Sequence, residues 1–173
     1  MVSSHASGRL KRLAVCTALL AYGQLILGAQ LRHVPPMATA ATFQVSVFFH
    51  LAVAVILLVN GVLLWRIAKS ELPRSGRLQW PGRLLVTFLA CQWLLGAGTW
   101  ILKYSWPAGW FAETPGLAGW TNTSGGALQS LVVTGHVAVG SLILGTCVWM
   151  SLAFGRVLVR KSVATSSMSP QMA

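Results

Sequence analysis

Among the polar side chains inside the apolar runs of this 173-residue sequence, Gln24, His50, Gln92 and His136 recur in matching contexts. The two histidines invite a chemical reading first. An imidazole is suited to proton transfer near neutrality and to metal ligation, and an ionisable group in a membrane helix is costly enough that function, with a named partner, is the default reading. A lone histidine of this kind reads most simply as an interhelical hydrogen bond. Two of them change the balance. No aspartate or glutamate lies in the apolar runs to pair with them, and a proton relay would want a carboxylate nearby. Zinc would want three or four ligands, and Cys16, Cys91 and Cys147 show neither metal-ligand spacing nor a loop position where a disulfide would form. The cysteines read as small buried hydrophobes. Two neutral imidazoles facing each other across a helical bundle suit bis-histidine ligation of heme iron.

The elements that would position these residues follow from composition. The chain is 55% hydrophobic and 9% charged, with mean hydropathy +0.68. That balance excludes a soluble domain and implies one compact membrane unit with no second domain. Four stretches free of Asp, Glu, Lys and Arg, near Leu13–Leu31, Phe43–Trp65, Leu84–Leu102 and Ala127–Phe154, approach or exceed the roughly 20 helical residues that cross a bilayer. Lipid offers no partner for backbone amides, so each must be helix or closed barrel. The runs are too continuously apolar for barrel strands. The expected fold is therefore all-α and integral to the membrane: a four-transmembrane-helix bundle over residues 13–155, with tails at 1–12 and 156–173, the last polar and disordered from Ser162.

The net charge of +11 would suggest nucleic acid in a soluble chain. Here eleven of the thirteen Lys and Arg fall in the two tails and the middle loop, which puts both termini in the cytoplasm by the positive-inside rule and leaves no nucleic-acid partner. Trp65 and Trp80 then lie near the inner boundary, and Trp100, Trp106, Trp110 and Trp120 near the outer one, as an aromatic belt. The first span resembles a cleavable leader, with Ala38–Ala40 as a possible site, but it carries a motif that recurs later and is read as a retained span.

That motif makes the chain one helical hairpin written twice. Gln24-Leu-Ile-Leu-Gly28-Ala29 in span one answers to Gln92-Trp-Leu-Leu-Gly96-Ala97 in span three, and His50-Leu-Ala-Val-Ala in span two to His136-Val-Ala-Val-Gly in span four. Repeats in membrane bundles place a site on the pseudo-twofold axis. The histidines then enter at matched depth in the outer half of the bilayer. Ala54 and Gly140, four residues beyond them on the same helical face, leave room for a flat macrocycle, and Gly28 and Gly96 give similar clearance on the other two helices. The same small residues also let membrane helices approach one another. Arg32 and Lys103 end spans one and three, where they would neutralise heme propionates or simply snorkel to the interface.

Taken in order, Gln24-x-x-x-Gly28-Ala29-x-x-Arg32-His33, His50-Leu-Ala-x-Ala, Gln92-x-x-x-Gly96-Ala97-x-Thr99, Lys103-x-x-x-Pro107 and Thr134-x-His136-Val-x-x-Gly140 resemble the heme A synthase (cytochrome oxidase assembly) family. Its members usually carry eight helices in two pseudo-symmetric four-helix bundles, and this chain is similar to one bundle over nearly all its length. The resemblance implies His50 and His136 as axial ligands, heme b or heme O/A as cofactor or substrate, and a role in oxidising a heme O ring methyl to a formyl group. It further implies a bacterial-type inner membrane, pairing as a homodimer or with another half-size member, and heme O synthase and a terminal oxidase as partners. Two departures stand out. The family's catalytic half places a glutamate three residues before its second-helix histidine, where this chain has Val47, and the same offset before His136 gives Val133. The first outer loop, His33 to Thr42, lacks the family's cysteine pair.

Two rivals remain: a bis-histidine electron-transfer cytochrome b without synthase activity, and a heme-free scaffold or transporter whose histidines bond across helices. Glu113 reads as a solvated loop residue, His33 as interfacial, and Asn122-Thr-Ser as a glycosylation pattern too short to carry meaning.

Overall fold

The structure, a computed structural model, describes residues 4–33, 37–71, 79–104 and 126–167. Its elements are four helices: α1 (Ser4–Arg32), α2 (Ala40–Glu71), α3 (Trp80–Tyr104) and α4 (Ala127–Ser167). No strand occurs among the described residues. All four helices are long and apolar enough to cross a bilayer, and the protein is an integral membrane bundle. Large apolar side chains such as Leu19, Phe48, Leu94 and Leu131 point outward, the arrangement expected where the surrounding solvent is lipid and a helix is apolar all round.

The helix ends have local causes. Thr39 caps α2: its hydroxyl lies 3.2 Å from the Thr42 amide and accepts its hydrogen, meeting one of the donors a helix N-terminus leaves unpaired. Pro81 sits in the first turn of α3, where its missing amide hydrogen costs nothing. Both outer helices outrun their apolar segments. α1 begins at Ser4 rather than near Leu13, and α4 continues to Ser167, past Ser162. No proline interrupts either extension, so the backbone ladder continues where hydropathy stops.

Each helix packs on its two neighbours in the ring α1–α2–α3–α4, most closely between α1 and α4 and most loosely between α2 and α3. The diagonals are α1/α3 and α2/α4. The solid core sits at the end of the bundle where α1 begins and α4 ends. There Leu10, Ala14, Leu64, Ala68, Leu85, Leu89, Met150 and Phe154 are all buried. Gly82 lets α3 lie against Trp65 of α2, its position only 3.2 Å from the indole Cδ1 for any added Cβ. Thr17, fully buried here, donates its hydroxyl to the Leu13 carbonyl at 2.7 Å, so it leaves nothing unpaired.

The expectation that all three cysteines are buried is corrected. Of the cysteines only Cys147 is buried; Cys16 and Cys91 are exposed, since a weakly polar thiol can face lipid as readily as a core. Trp80 and Trp100 are exposed and Trp65 half-buried, with the Lys69 ammonium 5.5 Å over its ring. Trp106, Trp110, Trp120, Glu113, Pro107 and Asn122 lie outside the described residues.

Candidate functional site: a histidine-lined intramembrane cavity

The opposite half of the bundle is hollow. A cavity of about 340 Å³ lies between the four helices, within the size range of small-molecule and cofactor sites, roughly 300–1,000 Å³. Its wall is apolar apart from one cluster. Gln24, His50, Gln92 and His136 all line it, with Thr99 nearby and Arg32, His33 and Lys103 toward the loop ends of α1 and α3. The lining contains no carboxylate among the described residues.

The two histidines face each other along the α2/α4 diagonal, with ring centres 6.5 Å apart and ring planes at 54°. The two glutamines occupy the other diagonal. Gln24 Nε2 lies 3.1 Å from His50 Nε2 and donates to the His50 carbonyl at 3.0 Å. Gln92 Nε2 lies 3.4 Å from His136 Nε2. The glycine one turn beyond each glutamine backs the histidine of its own hairpin: a Cβ added to Gly28 would stand 3.5 Å from His50 Cε1, and one added to Gly96 would stand 3.1 Å from His136 Cε1. The sequence repeat is thus a repeat in space. Each hairpin presents one imidazole to the axis, bonded to a glutamine amide and seated on glycine backbone.

Five buried side-chain atoms among the described residues have no hydrogen-bond partner, and all belong to this cavity: Gln24 Oε1, His50 Nδ1, Gln92 Oε1, Thr99 Oγ1 and His136 Nδ1. An unmet buried polar group costs about 1–3 kcal/mol. Water or a bound group in the chamber would meet them.

One distance, the spacing of the two rings, is that of a pair of imidazoles on either side of a heme iron. Metal–imidazole bonds of about 2.0–2.1 Å, extended to the ring centres and taken on both sides of one metal, separate two ring centres by about 6.5 Å, the spacing seen here. No group of three or more His, Cys, Asp or Glu that would hold a bare ion occurs among the described residues. A porphyrin supplies four ligands of its own and needs only two more. Gly140 lines the cavity as expected, with Leu25 Cδ2 at 3.1 Å and Gln92 Nε2 at 3.2 Å from where its Cβ would be. Ala54 does not line it. On α2 the residue beneath His50 is Leu57. The difference is steric: Gly140 admits side chains of α1 and α3 against the α4 backbone, whereas α2 meets α3 loosely and presents no such seat. Arg32 and Lys103 are both exposed at the cavity rim.

Reading the sequence missed Thr99 as a site residue in its own right, along with the apolar wall of Phe43, Leu57, Val137 and Ile143. A signal existed, since Thr99 lies seven residues, or two turns, beyond Gln92 on the same face. Val47 and Val133, where the resembling family's catalytic half would carry its glutamate, both line the cavity. Compared with protein-family models, curated proteins and solved structures, the chain matches none.

Proposed function

We propose that this protein holds a heme between His50 and His136 and acts in the membrane as a half-size counterpart of the heme A synthases, supporting heme A biosynthesis and cytochrome oxidase assembly. The observation that carries the reading is the pair of half-buried imidazoles on diagonal helices with ring centres 6.5 Å apart. The glycine backing of each ring adds to it. Arg32 and Lys103 at the rim supply positive charge where acidic substituents of the ring would emerge. The bound group would contribute a reversible one-electron change at its iron. The chain's own residues orient it, exclude water from it and neutralise its acidic edge. The bias of Lys and Arg toward the two tails and the middle loop favours cytoplasmic termini with the cavity toward the outer leaflet, and the family resemblance implies a bacterial-type inner membrane. A homodimer, or pairing with another half-size member, would rebuild the two-bundle form, placed to receive heme O from a heme O synthase and pass product to a terminal oxidase.

One observation favours a narrower reading. The cavity lining offers no carboxylate, and Val47 and Val133 stand where one would be expected. Without it the described lining lacks the acid–base group that ring-methyl oxidation would use, so an electron-transfer cytochrome b role is the reading to separate from the first. Ultraviolet-visible spectra of detergent-purified protein, oxidised and dithionite-reduced, test the shared premise. Sharp reduced α and Soret bands, altered in both His50→Ala and His136→Ala, are expected. Protein that stays colourless after heme supplementation would refute it. Conversion of supplied heme O, read by mass, then separates synthase from cytochrome.

A further inference from the structure

A glutamine amide nitrogen donates two hydrogens and accepts none, whereas a neutral imidazole carries a hydrogen on one ring nitrogen and a lone pair on the other. Gln24 Nε2 donates one hydrogen to the His50 carbonyl at 3.0 Å. That bond fixes which end of the amide is nitrogen, because the reversed amide would set oxygen against oxygen. The second hydrogen then meets His50 Nε2 at 3.1 Å, so Nε2 must accept it and the ring hydrogen must sit on Nδ1. Nδ1 lies toward Gly28, 4.0 Å from where a Cβ would stand there, and has no hydrogen-bond partner among the described residues. The ring thus keeps the tautomer that can ligate through Nε2, but with its one lone pair covered. Gln92 makes no matching bond to the His136 carbonyl, and its contact to His136 Nε2 is the longer one at 3.4 Å.

We infer that Gln24 is a positioning residue that caps His50: it holds the ring hydrogen on Nδ1, covers the Nε2 lone pair, and must turn away before that nitrogen can bind a metal. The ligation half of this rests on the heme reading given above, and the tautomer half does not. An uncovered lone pair in an apolar chamber is an unmet acceptor, and Gln24 meets it without adding charge. Its own Oε1 has no partner, so the amide is held on its nitrogen side alone and can be displaced. Whatever the bond to Nε2 contributes is lost when a metal takes its place.

Full-length protein in detergent, with nitrogen-15 in its histidine rings and prepared without heme, tests the tautomer by magnetic resonance. At about pH 8, where an ordinary imidazole is neutral, His50 should show a protonated Nδ1 and an unprotonated Nε2. Loss of those signals in His50→Ala identifies them. Gln24→Leu removes both bonds and should abolish the bias toward a protonated Nδ1. A wild-type His50 protonated on Nε2, or a pattern unchanged by Gln24→Leu, overturns the inference. Titration with heme b, followed at the Soret band, tests the cap. Gln24→Leu should bind heme roughly two- to tenfold more tightly than wild type, the equilibrium effect of one hydrogen bond no longer displaced. Equal or weaker binding, in a variant whose circular dichroism matches wild type, overturns the capping role. If the variant loses helix content, the wild-type nitrogen spectrum still decides the tautomer. A wild type that takes up no heme refutes the heme reading, and the nitrogen spectra then judge the tautomer alone.

Discussion

The two ends of this bundle are built by opposite rules. At the end where α1 begins and α4 ends, large apolar side chains from all four helices interlock, with Leu10, Leu64, Leu85, Met150 and Phe154 each almost wholly inaccessible. At the other end the same helices diverge around a cavity of about 340 Å³ and leave five polar atoms unmet. Hydrophobic burial cannot drive helices together in lipid as it does in water, so packing contacts have to. The solid end supplies them, and the hollow end is free to hold strained or unpaired groups that would be costly anywhere else. Close packing and the candidate site are thereby separated along the bundle axis.

That separation predicts which mutations do what. Leu64→Ala or Leu85→Ala in the solid end removes a buried side chain and should cost about 2–5 kcal/mol in reversible denaturation by SDS, while the heme spectrum that the proposed function expects of the folded fraction stays unchanged. A spectrum that collapsed in step with stability would show the two ends to be coupled. Gly96→Ala should do the reverse. Its Cβ would press on His136 Cε1 at 3.1 Å, an overpacking of about 1–3 kcal/mol read as weakened heme binding rather than a lower melting point. Gly140→Ala meets the flexible tip of Leu25 and the Gln92 amide, and a cost of roughly 1 kcal/mol with a small spectral shift is expected. Gly28→Ala meets His50 only at 3.5 Å, an ordinary contact, and should fall within about 0.5 kcal/mol of wild type. A loss as large as that of Gly96→Ala would mean that the hairpins are more nearly equivalent than their geometry implies. Smallest of all, Gly145→Ala has open space around it and should be neutral or stabilising by up to about 1 kcal/mol through helix propensity. Thermal melts in the same detergent measure it.

Much of this was legible in the residues. The Gln-x-x-x-Gly-Ala and His-plus-small patterns located the cavity because an apolar helix makes any polar residue conspicuous, and because repetition at matched depth directs both imidazoles to one axis. Ala54 shows where pattern fails. It occupies the same offset from His50 that Gly140 occupies from His136, yet only Gly140 faces the cavity. Spacing along a helix fixes a face, but the rotation of that face depends on which neighbour packs more tightly, and α1 packs on α4 more closely than α2 packs on α3. Cys16 and Cys91 make a similar point: in lipid, hydrophobicity does not say which side of a helix is inside.

The amino-acid order alone determined that the chain spans a membrane four times as a doubled hairpin, because the lipid core dictates helix length and forbids unpaired backbone. It also singled out two glutamines and two histidines, because polar groups are rare there and costly. Only the packed structure decided that the rings face each other at 6.5 Å, that each glutamine serves the histidine of its own hairpin, and that one end is solid and the other hollow. Those outcomes depend on contacts between helices distant in sequence, where one methyl group more or less sets how closely two backbones approach.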